Sequence, residues 1–276
     1  MNIRYTWYKV DRFFNRHLSP GVKWIVYINV IVLLFMYIVC PLISLPPDAN
    51  VTTLRRVFPD NIISQTNLDP SLTDYVMYYL GQVPRYSLTK GFIWQYVTYL
   101  FLHAGGFHLF WNMLVLWFFG PRLERFWGLP RFLRFYLIVG AGAGLFHTIV
   151  MLISGKMWTA EGLVPLIGAS GALFGILLAY ALHWPDDVVY LMAVFPIKIK
   201  WLILIFAGFT FLNTIGPQTG YISHVTHLGG LITAFIYLKG WKRFPKNPHY
   251  YDKPDTTYHS RRSRSVFDDD DDRWWR

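Results

Sequence analysis

The chain alternates between apolar runs and short polar connections. Six apolar segments stand out, at 24–46, 107–121, 132–154, 168–184, 201–214 and 222–238. The first, third and sixth approach the roughly 20 residues needed to span hydrocarbon. The other three are short, and short helices lie at membrane depth only where neighbours or a wet cavity shelter their ends. Within these windows only Arg134 carries a formal charge, and all sixteen carboxylates lie outside them. The pattern predicts an all-α membrane protein with six transmembrane helices. The first apolar run exceeds the roughly 7–15 residues of a signal-peptide core, and no small-x-small cleavage site follows it. It is expected to stay as an anchor.

Composition sharpens this picture. Of 276 residues, 54% are hydrophobic and 15% charged, whereas soluble domains carry about 25% charged residues. A mean hydropathy of +0.30 excludes a disordered chain, a coiled coil and a disulfide-rich secreted module. The single cysteine, Cys40, allows no internal disulfide. The net charge of +10 would suit nucleic acid, but basic and aromatic residues are not interleaved in any nucleic-acid-binding pattern. No nucleic-acid partner is expected.

The basic residues instead set an orientation. Arg4, Lys9, Arg12, Arg16 and Lys23 precede the first span, Arg122, Arg125, Arg131 and Arg134 lie between the second and third, and Lys198 and Lys200 lie between the fourth and fifth. Lys239, Lys242, Arg243 and Lys246 follow the sixth, while the alternate connections are poorer in Lys and Arg. The positive-inside rule then puts both termini in the cytoplasm, with spans two, four and six running from outside inward. The expected organisation is a basic N-terminal segment at 1–23, a six-helix domain at 24–243 whose first outer loop is 47–96, and a charged, disordered cytoplasmic tail at 244–276. The first loop is expected to rest on the membrane surface through Phe92, Trp94, Tyr96 and Tyr99. No organelle-type presequence is evident, so the expected site is a bacterial plasma membrane.

Absences narrow the chemistry. No span holds Asp or Glu, which weighs against an ion-coupled transporter and an aspartyl protease. No His-Glu-x-x-His occurs, so a zincin is unsupported. What remains is Ser, His and Asn in unusual places. Gly168-Ala169-Ser170-Gly171 opens span four, where free N–H groups and the helix dipole favour an oxyanion. Gly171-x-x-x-Gly175 also fits plain helix packing. His227 opens span six at similar depth, and a serine nucleophile needs such a base. With no carboxylate in the spans, a Ser–His dyad is expected. Gly230 and Ala234 offer a small face for close packing of span six on span four. His108 and Asn112 open span two, four residues apart on one helix face, and both can donate to an oxyanion. Helix–helix hydrogen bonding is their competing role. His103 is expected to cap or brace span two. His147 and His183 are expected to be structural or interfacial, and Glu124 to organise a cytoplasmic loop. His224 and His227 lack the further ligands that a metal would need, so neither metal nor other cofactor is expected.

These residues fall in a known order. Trp94-Gln95-Tyr96, Phe101-Leu102-His103-Ala104-Gly105, His108-Leu109-Phe110-Trp111-Asn112, Gly120, Glu124, Gly128, Gly168-Ala169-Ser170-Gly171 and His227-Leu228-Gly229-Gly230 together resemble the rhomboid family of intramembrane serine proteases, over roughly 92–240. The resemblance implies a six-helix bundle around a water-filled cavity open to the outside. It implies Ser170 as nucleophile, His227 as general base, and His108, Asn112 and the Ser170 N–H as oxyanion donors, with Gly168 shaping the approach. It implies transmembrane proteins as substrates, a small residue before the scissile bond, 215–223 as a cap and span five as a lateral gate. Two departures stand out: Phe174 where some members stack a Tyr on the imidazole, and Gln95 where many have Arg. Two rival classes are a non-catalytic protein of the same fold that binds membrane clients, and a small-solute channel or transporter.

Overall fold

The structure is a computed structural model, and it describes residues 18–43, 71–191, 194–215 and 224–240. The expected tail at 244–276, residues 216–223 of the expected 215–223 cap, and the first part of the 47–96 loop lie outside the described residues.

Helix α1 (Pro20–Leu34) starts on a proline at N1, where the missing N–H costs nothing. A π turn and a 3-10 turn continue it, so Pro20–Leu42 forms one apolar element of 23 residues. Three short helices follow. Helix α2 (Leu72–Leu80) is opened by a capping box between Ser71 and Asp74; α3 (Pro84–Thr89) again starts on proline; α4 (Gln95–Thr98) runs into a 3-10 turn. Helix α5 (Gly106–Trp127) and α6 (Leu129–Ile153) are joined by Gly128 alone, at φ +82°. Helix α7 (Ser170–His183), α8 (Ile199–Ile215) and α9 (His224–Gly240) complete the described chain.

Pro20–Leu42 and Leu129–Ile153 are each long and apolar enough to cross a bilayer, while Gln95–Phe101 and Gly106–Trp127 pass that test together but are bent by 98°. Their flanks bear exposed Ile31, Ile38, Leu145 and Ile153, as lipid-facing helices do. The protein is mostly helical and integral to a membrane.

Helix α7 sits in the middle. It touches α5, α6, α8 and α9, and Ala172, Leu173, Ile176 and Ala179 are buried on successive turns. A helix apolar on all sides belongs inside. Small residues permit this crowding. A Cβ on Gly175 would lie 2.4 Å from Val139, and one on Gly230 would lie 2.0 Å from the Gly171 carbonyl oxygen.

Three expectations need amendment. The all-α chain contains one antiparallel hairpin, β1 (Val188–Leu191) with β2 (Phe195–Lys198), in the register Val188 to Lys198. Branched and aromatic residues favour strand there, and the hairpin base is pinned by polar contacts. Asp187 accepts hydrogen bonds from Arg122 and Tyr180, and Asp186 accepts from Lys200 at 2.8 Å and Lys198 at 3.0 Å. Those two lysines hold the Asp186 carboxyl below its ordinary pKa, Lys200 foremost. Next, the second apolar run does not end its helix at Pro121. Helix α5 continues to Trp127 because Leu123, Phe126 and Trp127 are buried beyond the proline. Last, Tyr99 is no surface anchor: it is fully buried and donates to the Gly140 carbonyl at 2.8 Å.

Glu124 has a more specific task than loop organisation. Its buried carboxylate accepts from Gly21 N–H at 2.8 Å, Val22 N–H at 2.9 Å and the Ser19 hydroxyl. Ser19 makes no side-chain cap of its own, so a residue of α5 caps the N-terminus of α1. The positive end of the helix dipole favours a carboxylate there. Glu124→Ala should destabilise the protein by about 3 kcal/mol, since buried N–H groups lose a charged acceptor. Glu124→Gln should recover part of that. Thermal unfolding of both variants in detergent reads the difference, and an unchanged midpoint for Glu124→Ala would refute the capping role.

Candidate active site

Three helix N-termini build the site. The segment before α7 is extended, and Leu166 forms an isolated antiparallel bridge with Gln82 through Leu166 N–H at 2.8 Å and Gln82 N–H at 3.0 Å. The chain then turns through Gly168 at φ +116°, a backbone that side chains rarely adopt. Gly168 N–H donates to the Tyr99 carbonyl at 2.9 Å. Two residues later α7 begins with Ser170 as its first helical residue.

His227 lies in the first turn of α9, and its Nε2 is 2.8 Å from Ser170 Oγ. The two residues are 57 positions apart, brought together by the glycine contact between α7 and α9. With the hydroxyl donating, Nε2 is the acceptor and Nδ1 carries the ring proton. Phe174, one turn after the serine, stacks on the imidazole with centroids 4.3 Å apart and planes 10° apart.

His108 and Asn112 approach from α5. A Cβ on Gly168 would lie 2.9 Å from His108 Cε1, 3.0 Å from His108 Nε2 and 3.9 Å from Asn112 Nδ2. Only glycine fits beside these two side chains. Ala104 N–H points at His108 Nδ1 from 3.4 Å, which favours the tautomer with a proton on Nε2, facing the Gly168 backbone. Asn112 Nδ2 is buried and has no hydrogen-bond partner. A buried amide donor left open is unusual. An anion seated next to Gly168 would satisfy it.

Thus Ser170, His227, Gly168, His108 and Asn112 all come to one place. His103 is buried and braces His108 edge-on at 5.0 Å. His224 stands edge-on to His227 at 6.2 Å. His183 lies beside Trp127 and Phe126, away from the serine. Glu124 serves α1 and is remote from the site.

Sequence reasoning missed a buried polar network around Gln82, the residue that bridges to Leu166. Gln82 Nε2 donates to Thr148 Oγ1 at 2.9 Å and Ser87 Oγ at 3.1 Å, and its Oε1 lies 3.3 Å from His147 Nδ1. Gln95 accepts from Val83 N–H at 3.0 Å and donates to the Tyr78 carbonyl at 2.8 Å. In place of an arginine, this neutral amide ties α4 to α2 and α3. Gln95 is marked in the sequence as a departure from Arg, whereas Gln82, a lone Gln in a polar loop, carries no sequence signal of such a role.

The fold defines a class, that of membrane proteins built from apolar helices, here with a serine–imidazole contact between two of them. Comparison narrows it: residues 90–243 match the family model described as Rhomboid domain, and the chain belongs to the rhomboid family. It is 32% identical over 147 residues to RHOMBOID-like protein 1 of Arabidopsis thaliana, a match covering 52% of this chain and 33% of that protein. It is 32% identical over 149 residues to Rhomboid protease GluP of Bacillus subtilis, covering 54% of this chain and 26% of the relative. It is 29% identical over 154 residues to Rhomboid protease AarA of Providencia stuartii, covering 52% and 54% respectively. The match spans no more than about half the length of these curated relatives.

Proposed function

We propose that this chain is an intramembrane serine endopeptidase that cleaves transmembrane segments of membrane proteins near the outer face of the bilayer. The observation that carries this reading is the 2.8 Å contact between His227 Nε2 and Ser170 Oγ at the mouth of a buried helix. The relatives named as rhomboid proteases support it.

In the proposed reaction His227 takes the Ser170 proton as Oγ attacks a peptide carbonyl. The carbonyl oxygen becomes an oxyanion over Gly168, where His108 Nε2–H, Asn112 Nδ2–H and the Ser170 N–H converge to donate to it. Collapse passes the proton from His227 to the leaving amine and leaves an acyl-enzyme on Ser170. Water then attacks, with His227 again as base. All these groups belong to the chain, and no step calls on a cofactor. Phe174 and the other rings around His227 take the orienting place that a carboxylate holds in a triad.

The architecture of this reading is a six-transmembrane-helix bundle over 24–243, with a water-filled cavity open to the outside and both termini cytoplasmic. The 1–23 segment and the 244–276 tail then lie in the cytoplasm of a bacterium, and the lipid bilayer is the plasma membrane. The substrate helix enters past α8 and unwinds, because a helical carbonyl is bonded within its own helix. Weak helix formers such as Gly near the outer end favour that step.

Reconstitution with a model transmembrane substrate tests the reading. The expected result is one cut near the outer end of the substrate span, after a small residue. An intact substrate, or solute flux that survives Ser170→Ala, would refute it. Asn112→Ala should lower kcat by about 10–1000-fold with little change in KM, as loss of one oxyanion donor does. An unchanged kcat would remove Asn112 from that role.

A further inference from the structure

Imidazole bases are usually held in plane by a carboxylate on Nδ1. Among the described residues no carboxylate bonds to His227. Its ring is instead held by other rings. Phe174 lies flat on one face at 4.3 Å, and His224 meets it edge-on, at 6.2 Å and 88°. Each of these two is backed by a phenyl group of α8. Phe206 lies against Phe174 at 6.1 Å and 48°, and Phe209 lies edge-on to His224 at 5.6 Å and 81°. Phe206 and Phe209 are three residues apart, so they share one face of α8. Five rings therefore make a closed circuit that leaves α8 at Phe206, passes through Phe174, His227 and His224, and returns to α8 at Phe209.

We infer that Phe206 and Phe209 are positioning residues that set the plane of the His227 imidazole, so that the seat of α8 decides whether the base is aligned on Ser170. The inference rests on the proposed protease reading and deepens it. Neither phenyl touches the serine; each acts through the ring it supports. Phe209 is 57% exposed, so it is not placed to fill the core, and Phe206 is partly buried against the core cluster together with Phe174. Tilted and edge-on contacts suit aromatic rings, whose edges are positive and faces negative. A leucine of similar bulk fills the space and loses that geometry. The physical consequence is a coupling: any movement of α8 away from α7 and α9 withdraws both supports at once.

The test uses the full chain in liposomes, with Phe206→Leu, Phe209→Leu, the double Leu variant and the double Tyr variant, which keeps both rings. Two rates are measured. One is cleavage of a model transmembrane substrate, split into kcat and KM. The other is labelling of Ser170 by a small fluorophosphonate, which needs an aligned base but no substrate helix. The double Leu variant should lose about 10-fold in both kcat and labelling, because small displacements of catalytic groups are costly. Its KM should stay within about 2-fold, since the altered groups act on the base and not on ground-state binding. The double Tyr variant should label at close to the wild-type rate. Unchanged labelling in the double Leu variant, with a shift in KM alone, would overturn the inference and make α8 a matter of substrate passage. If the double Leu variant does not fold, the single variants decide: each should label more slowly by about 2–4-fold, and wild-type rates in both would overturn it. A wild-type protein that neither labels nor cleaves would instead refute the protease reading itself.

Discussion

Ser170→Ala should leave a folded protein that cuts a transmembrane substrate at no more than about one ten-thousandth of the wild-type rate, the scale of loss when a serine nucleophile is removed. The side chain of Ser170 opens a helix whose burial comes from Ala172, Leu173 and Ile176. Its hydroxyl bonds to His227, so its loss removes one hydrogen bond at a half-buried mouth. Stability should change by no more than about 1 kcal/mol. The proposed oxyanion donors His108 and Asn112 stay in place, but without Oγ the proposed acyl-enzyme has no atom on which to form. Unfolding midpoint and cleavage, measured on the same preparation, separate the two effects. A variant that still cleaves at the wild-type rate would reject Ser170 as nucleophile.

Gly230→Ala should have the next largest effect, and it acts through the backbone. A Cβ at this position would sit 2.0 Å from the Gly171 carbonyl oxygen and 2.9 Å from its carbon. Those atoms are main chain and cannot rotate away. Helices α7 and α9 must separate, carrying Ser170 and His227 apart. Overpacking of this kind costs about 1–3 kcal/mol or more, and a displacement near 1 Å between catalytic groups costs about 100-fold in rate. Gly208→Ala is the control, because nothing lies within 4 Å of its added Cβ. The expected outcome is a less stable and nearly inactive Gly230→Ala beside an unaffected Gly208→Ala. Equal activity in the two would show that the α7–α9 contact does not set the site.

The reach of the sequence can be judged from these same residues. Apolar runs announce apolar helices because hydrophobicity at membrane depth is a blunt requirement; among the described residues two helices are long and apolar enough to cross a bilayer, or three with the bent pair counted as one span. Ser170 and His227 stand out because polar side chains next to small residues are conspicuous in apolar runs, and the 2.8 Å contact joins two helix starts already read at similar depth. Tertiary partners were not legible. Glu124 reads as a loop acid, yet its carboxylate receives two backbone N–H groups from a helix more than 100 positions away. Tyr99 reads as an interfacial anchor, yet its hydroxyl finds Gly140 in the core. The second apolar run stops at 121, since hydrophobicity is read locally, while buried Leu123 and Trp127 carry the helix on to Trp127. Gln82 carries no periodic or motif signal, Gln95 is marked only as a departure from the Arg that many family members have, and the fold alone reveals the groups the two satisfy. The hairpin after α7 leaves no mark in the pattern, because its strands, of four residues each, fall between two apolar runs.

The contact of Ser170 with His227 is tested most directly by mapping a covalent adduct. Wild-type protein in liposomes is treated with a fluorophosphonate, digested and sequenced by mass spectrometry. The expected result is a single adduct on Ser170 that is lost in His227→Ala. An adduct on another serine, or undiminished modification of Ser170 without the imidazole, would contradict it.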